Sequence, residues 1–203
     1  PFLMMATRGL REAPPGGGEQ REGPSMDGAS ALIVGYGRFG QTTAQMLMAS
    51  GLGVTLIDSD AARIDIAREF GSRVYFGDGT RIDLLRLAGA GEARAIAFCM
   101  DRDQANAALL EAVHKAFPQA RLLVRGYDRR SVLELADAPV CAVVREVYES
   151  AIGLARRTME SLDLDQVEIN EAEETFRVID GKRLDAQSAT GDIRAAREIM
   201  ITA

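Results

Sequence analysis

A glycine-rich hexapeptide at residues 35–40, with the sequence GYGRFG, restricts the folds that this chain can adopt. It follows an apolar run at residues 31–34 and opens a segment with helical periodicity. In that position Gly35 permits a tight turn, Gly37 lets the backbone approach a pyrophosphate, and Gly40 lets helix and strand pack closely. Free N–H groups at the start of the helix can then receive phosphate. The motif predicts a strand–turn–helix unit that binds a nucleotide; the alternative is a tight turn without a ligand.

Short apolar runs alternate with amphipathic stretches between residues 31 and 144. The runs have the length of buried strands and lie at residues 31–34, 54–57, 74–76, 95–99, 122–124 and 140–144. The stretches between them have the helical period and lie at residues 41–49, 61–70, 81–87, 104–117 and 131–136. Alternating strands and helices form a parallel sheet with helices on both faces, and right-handed crossovers favour the strand order 3-2-1-4-5-6. We therefore predict an α/β fold, a doubly wound, Rossmann-like parallel sheet.

An acidic residue, Asp58, ends the second predicted strand at the spacing that the glycine motif requires. A carboxylate at this place accepts hydrogen bonds from both ribose hydroxyls and repels a 2′-phosphate. The next residues are Ser59 and Asp60, with no arginine directly after Asp58. This favours NAD(H) or an adenosine nucleotide such as AMP over NADP(H). A purely structural role as a helix cap fits Asp60 better than Asp58.

The loops after the third and fourth predicted strands supply further candidates. Asp78 and Thr80 lie in the segment 77–80, where they either close over the adenosine or cap the next helix. Cys99 and Met100 end the fourth strand, and ligands bind outside the carboxyl ends of strands where the strand order reverses. Cys99 has no neighbouring histidine or lysine and is interpreted as a packing residue. The predicted cofactor-binding residues are Gly35, Tyr36, Gly37, Arg38, Phe39, Gly40, Asp58, Ser59, Asp78, Thr80, Cys99 and Met100.

The sequence offers few groups for catalysis. The only histidine, His114, lies on a predicted helix far from the switch point, and no residues have the spacing of metal ligands. The net charge of -6 argues against a nucleic-acid partner. The part of the chain after residue 162 is too short for a typical substrate domain. We expect a nucleotide sensor with no catalytic or metal site; the alternative is an NAD-dependent oxidoreductase with an unrecognised active site.

The two ends of the chain differ from its centre. Residues 1–8 are apolar and then basic, which indicates either the last turn of a membrane helix or a short amphipathic tail. Residues 9–30 are rich in glycine, proline, glutamate and arginine and predict a flexible linker. The apolar spacing in residues 145–162 predicts a long amphipathic helix, and with no further strand to cover its apolar face we expect a homodimer. Residues 163–203 are acidic and mixed.

Two segments in that last region, residues 166–169 and 176–179, are compatible with short strands or with helical turns. The pattern of the residues around them does not separate the two. The sequence therefore leaves both short strands and helical turns possible in the C-terminal tail.

The chain from residue 31 to about residue 164 resembles the KTN domains, also called RCK or TrkA-N domains, which regulate potassium transport proteins. The resemblance rests on VGYGRFGQ at residues 34–41, GDGTRIDLL at 77–85 and AGA at 88–90. Residues 145–162 are similar to the dimer-crossing helix of the family. The likeness is closest to the cytosolic domain of the Kef-type, glutathione-gated potassium efflux systems.

This resemblance implies a regulatory domain on the cytoplasmic face of the membrane, joined to a potassium/proton antiporter domain in the same polypeptide. It implies a homodimer with NAD(H) or AMP in each fold and, in the Kef branch, glutathione or its conjugates near the dimer interface. Arg38 and Arg125 match basic positions of the family and are the implied effector-binding residues, whereas Tyr127 stands where the family has a further arginine. A gating subunit of a potassium channel or of a Trk-type uptake system is the alternative within the family.

Overall fold

The structure is a computed structural model that describes residues 30–69, 73–101 and 104–195. The strands are β1 Ser30–Val34, β2 Gly53–Asp58, β3 Arg73–Phe76, β4 Ala95–Phe98, β5 Arg121–Gly126 and β6 Ala142–Arg145. They form one parallel sheet in the order β3-β2-β1-β4-β5-β6. The predicted doubly wound sheet and its strand order are confirmed.

Helices connect successive strands: α1 Arg38–Ala49, α2 Ala61–Glu69, α3 Ile82–Leu87, α4 Ala107–Ala116 and α5 Arg129–Glu134. Alternate side chains of a strand point to opposite faces of the sheet, so each face has its own core. Leu32 and Val34 pack with the residues of α3 and α4, whereas Ile33 packs with those of α1 and α2. The reversal of strand order between β1 and β4 leaves a crevice at their carboxyl ends.

Two helices follow the sheet, α6 Tyr148–Ser161 and α7 Gln166–Thr190. The long helix α7 decides the open question about residues 166–169 and 176–179, because both segments belong to it. Asp165 caps α7 because its side chain accepts the N–H groups of Val167 and Glu168 at 2.8 and 2.9 Å. The Glu168 side chain in turn accepts the N–H of Asp165 at 3.0 Å. Gly191, with φ 67°, ends the helix in the left-handed conformation.

Helix α7 covers part of the apolar face of α6, which corrects the expectation that this face, with no further strand to pack on, is left to a partner. Tyr148 and Phe176 stack between the two helices with ring centroids 5.8 Å apart. Val147, Leu154 and Leu162 stay exposed at 61%, 71% and 66%. The surface left for a partner is therefore a narrower stripe than the sequence suggested.

The predicted apolar start and most of the predicted linker, residues 1–29, lie outside the described residues. Among the helices of the described ranges, none combines the length and the apolar character that crossing a membrane requires.

Candidate nucleotide-binding site

A cavity of about 370 Å³ opens at the carboxyl ends of β1, β2, β3 and β4. Eight of the twelve predicted cofactor-binding residues line it: Gly35, Gly37, Asp58, Ser59, Asp78, Thr80, Cys99 and Met100. The rest of the wall consists of Val34, Ile57, Arg63, Gly77, Gly79, Asp101 and Gln104. Ligand binding by these residues is a prediction that the geometry supports.

The three motif glycines occupy different environments. A Cβ on Gly35, whose φ is +94°, would lie 2.8 Å from the backbone nitrogen of Met100. A Cβ on Gly40 would lie 1.9 Å from the carbonyl oxygen of Gly35, so the helix could not stay in contact with the turn. On Gly37 the nearest atom would be Nη1 of Arg63 at 3.8 Å, which is ordinary contact. The backbone at Gly37 therefore leaves open space at the cavity, which we call the open cradle. Gly35 and Gly40 are required by the close backbone contacts of the fold.

The start of α1 has the donor set that a phosphate requires. Gly37 is the N-cap and supplies no side-chain cap, and the first turn holds no acidic residue. The first N–H groups of a helix have no intrahelical acceptor, and the helix dipole places partial positive charge there. These unpartnered donors border the open cradle at Gly37, so the residues present fit the phosphate of a nucleotide.

Asp58 has a structural role that sequence reasoning missed. Its side chain is 4% exposed, and it accepts the N–H of Tyr36 at 2.5 Å and the N–H of Asp60 at 2.8 Å. The guanidinium of Arg63, one turn into α2, lies 3.5 Å from the same carboxylate. A carboxylate has about four acceptor positions, so Asp58 can brace the glycine loop and still accept ribose hydroxyls. Asp60 accepts the N–H of Ala62 at 3.0 Å, as expected of a helix cap.

The loop after β3 is held by its own side chains. Oδ1 of Asp78 accepts the N–H of Thr80 at 2.9 Å and the Thr80 hydroxyl at 2.8 Å. These two hydrogen bonds lower the pKa of Asp78. The N-cap of α3 is Arg81 and has no side-chain cap, so the alternative that Asp78 or Thr80 caps this helix is wrong. A Cβ on Gly79 would lie 2.1 Å from Cγ1 of Val34. Glycine at this position therefore allows the loop to lie directly against β1.

The end of β4 closes the cavity floor. Cys99 is 3% exposed, and burial raises the pKa of its thiol to about 11, which the hydrogen bond with Thr43 and the charge of Arg125 offset only in part. The thiol is therefore protonated near neutral pH, in agreement with its interpretation as a packing residue. Met100 is half-buried and forms part of the wall.

Comparison with known proteins decides the family, since residues 31–146 match the family model described as TrkA-N domain. The chain belongs to the TrkA-N domain family. The structure of this TrkA-N domain covers 98% of the Kef C-terminal domain of Shewanella denitrificans, solved in an AMP bound form, at 31% identity over 79% of this chain and a TM-score of 0.71. The Kef-type resemblance read from the sequence is confirmed.

Two further proteins define its relatives. The glutathione-regulated potassium-efflux system protein KefC of Cronobacter sakazakii is 34% identical over 194 residues, which are 95% of this chain and 31% of KefC. The GsuK channel bound to NAD is 26% identical over 61% of this chain and 22% of GsuK, with a TM-score of 0.51. The TrkA-N chain thus spans less than a third of the length of the curated relatives that head the comparison.

Four predicted residues of the TrkA-N domain lie away from the cavity wall. The Tyr36 ring is 1% exposed in the core, and only its backbone reaches Asp58. Phe39 packs against the same core, and Gly40 lies under the turn. Arg38 is exposed at the start of α1 and does not line the cavity. An outward role for Arg38 therefore fits the geometry better than a place over the pyrophosphate.

Arg125, the second predicted effector residue, is an internal brace of the TrkA-N domain. Its side chain is 12% exposed, and Nη1 donates to the carbonyl oxygens of Cys99 at 3.1 Å and Met100 at 3.3 Å. Nη2 donates to Oε2 of Glu146 at 2.7 Å, and the guanidinium lies 5.5 Å from the ring centroid of Phe39. Arg125 therefore joins the wall of the cavity to the segment that leads into α6.

A second cavity of about 420 Å³ adjoins the first at the carboxyl ends of β4 and β5. Met100 and Asp101 line both cavities. Val124 and Leu135 form an apolar floor, and the polar part of the wall consists of Asn106, Arg125, Tyr127, Ser131 and Glu134. Sequence reasoning missed this cavity because its walls come from elements far apart in the chain.

Proposed function

We propose that this chain is a nucleotide-sensing regulatory domain that controls potassium efflux through a membrane-embedded potassium/proton antiporter. One observation carries the proposal: the glycine loop, Asp58 and the loop at residues 77–80 form one cavity in a domain that matches a Kef C-terminal domain solved with AMP. The antiporter part, its place in the same polypeptide and the location at the cytoplasmic face of the membrane belong to the proposal and rest on the resemblance to the Kef-type systems. The relatives are glutathione-regulated potassium-efflux system proteins, of which this chain spans less than a third.

The nucleotide is assigned to the first cavity by its chemistry. The phosphate would bind the N–H groups at the start of α1, and Asp58 would accept the ribose hydroxyls. Asp78 and Thr80 would border the adenosine from the loop after β3, and Arg63 supplies a positive charge beside Gly37. We infer sensing, not catalysis, because the relatives are transport proteins and His114 is exposed on α4.

Binding of AMP, NADH and NADPH to the isolated domain, measured by calorimetry, tests this assignment. Asp58→Ala should weaken AMP and NADH binding by about 1–3 kcal/mol, the range of a hydrogen bond to a charged group. Asp60→Ala is the matched control: it removes a neighbouring carboxylate that caps α2 and pairs with Arg63 at 3.3 Å but does not line the cavity. Equal affinity of AMP for all three proteins would contradict the assignment. Potassium flux through the complete protein in proteoliposomes, with and without nucleotide, then tests the regulatory part.

The second cavity bears on the choice between AMP and NAD(H). Because it adjoins the first through Met100 and Asp101, it can receive the nicotinamide half of a dinucleotide whose adenosine half occupies the first. Ala108→Trp would fill it from the exposed side of α4, whereas Ala112→Trp on the same helix lies outside its wall. If NADH is the ligand, only Ala108→Trp should lower NADH affinity, and AMP affinity should stay unchanged. An unchanged NADH affinity would favour AMP.

The homodimer and the effector are the remaining parts of the proposal. The exposed stripe of Val147, Leu154 and Leu162 is a candidate dimer surface. We propose that Arg38, exposed beside the glycine loop, binds an anionic effector such as glutathione or a glutathione conjugate. Arg38→Ala should then abolish the effector response of potassium flux and leave AMP binding intact. Loss of AMP binding would place Arg38 at the pyrophosphate instead.

A further inference from the structure

Two consecutive residues at the end of β6 make ion pairs in different directions. Arg145 pairs with Asp180 in α7, and Glu146 pairs with Arg125 in β5 at 2.7 Å. The side chains of Arg145 and Glu146 are 16% and 21% exposed, so water screens neither pair strongly. One dipeptide therefore links α7 to the sheet.

On the sheet side, the linkage ends at the nucleotide cavity. The guanidinium of Arg125 bonds to the carbonyl oxygens of Cys99 and Met100, and both residues line the cavity. The same guanidinium reaches Asp101 at 3.2 Å, on the rim of both cavities. A ligand that moves the end of β4 must therefore move Arg125 or break its bonds, and Glu146 is its closest charged partner.

On the helix side, Asp180 is the one buried carboxylate of α7 within the described residues, and it contacts the sheet domain. Asp180 is 6% exposed and is held by Arg129 of α5 and by Arg145. Arg129 also donates to Oε1 of Gln187 at 3.1 Å, about two turns further along the same face of α7. A buried carboxylate that loses its partners is costly, so α7 is held in one docked position or released from it as a unit.

We infer that the Arg145–Glu146 dipeptide couples occupancy of the nucleotide cavity to the docking of α7 on the sheet domain. Arg145 also lies over the ring of Tyr148, with its guanidinium 3.6 Å from the centroid, so a displacement of the dipeptide reaches α6 as well. Glu146 and Asp180 act as positioning residues in this coupling between the nucleotide cavity and α7. The inference rests on the proposed function, because it takes the first cavity to be the nucleotide site.

Hydrogen exchange of the complete chain, followed by mass spectrometry with and without AMP, tests the coupling. In the wild type, AMP should change the exchange of residues 176–190 about fivefold or more, which is the lower end of ordinary allosteric coupling. Glu146→Gln should still bind AMP, with an affinity that changes by no more than the about fivefold coupling itself, yet lose most of this response. Glu149→Gln is the matched control: it removes an exposed carboxylate that pairs with Arg177 between α6 and α7, and it should respond like the wild type.

Asp180→Asn provides the reverse test. Coupling is reciprocal, so undocking α7 should change AMP affinity about fivefold and, without ligand, raise the exchange of residues 99–101. AMP binding without any change in α7 would overturn the coupling and leave the proposed function standing. An equal AMP response in Glu146→Gln and wild type would overturn it as well. No binding of AMP or NADH to the wild type would contradict the proposed function itself.

Discussion

Alanine at two glycines of the same motif should have different effects: Gly40→Ala should impair folding, and Gly37→Ala should impair nucleotide binding. In Gly40→Ala the new Cβ would lie 1.9 Å from the Gly35 oxygen, well inside contact distance. Alanine in a helix gains about 1 kcal/mol over glycine, but forcing a methyl group into a filled space costs about 1–3 kcal/mol or more. Because the contact is with backbone, the cost lies at the upper end, and we expect a net loss of about 2 kcal/mol. In Gly37→Ala the Cβ enters the open cradle, so stability should change by less than about 1 kcal/mol.

The assay is urea unfolding of both variants, paired with AMP calorimetry. Gly37→Ala should unfold near the wild-type midpoint and bind AMP at least about tenfold more weakly, since the methyl group occupies the phosphate cradle. Gly181→Ala is the control, with nothing within 4 Å of the added Cβ in α7, and it should be stabilised by about 1 kcal/mol. Wild-type stability of Gly40→Ala would contradict the close contact with Gly35, and wild-type AMP affinity of Gly37→Ala would contradict a phosphate site at Gly37.

Three further outcomes are expected. Leu154→Asp should convert a dimer at about tens of micromolar into monomers in light scattering, because it charges the exposed stripe of α6; a monomeric wild type would contradict the dimer. At pH 8 a thiol reagent should modify the exposed Cys141 quickly and Cys99 only on unfolding, because a pKa of about 11 leaves about one thiolate in a thousand; fast reaction of both would contradict the burial of Cys99. NADH should bind more tightly than NADPH because Asp58 repels a 2′-phosphate, and equal affinities would show that Arg63 offsets this repulsion.

Much of the fold could be predicted because strand and helix periods alternate clearly through residues 31–144. Strand order then follows from the handedness of the crossovers. Helix α7 was within reach too, since Asp165 and Glu168 form a capping box that is visible in the sequence. Its acidic, mixed composition obscured the helical period, and its packing depends on Asp180, whose arginine partners lie far away in the chain.

The site divides in the same way. The glycine spacing and the position of Asp58 are local signals, and Gly35, Gly37 and Asp58 line the cavity as expected. The bracing role of Asp58 was missed because its partner is the backbone of Tyr36, and backbone donors leave no trace in a sequence. Arg125 was interpreted from a family pattern, whereas its contacts with Met100 and Glu146 depend on how three elements pack. Short motifs predict local geometry, but they do not predict contacts between elements that are distant in the sequence.

A crystal structure of the domain grown with AMP at a concentration well above its Kd tests whether the first cavity is the nucleotide site. We expect the phosphate within hydrogen-bond distance of the N–H groups at the start of α1, beside Gly37, and the ribose hydroxyls on the carboxylate of Asp58. We also expect the adenosine against the loop that contains Asp78 and Thr80. AMP bound elsewhere on the domain, or a first cavity that holds only solvent at saturating AMP, would contradict this assignment.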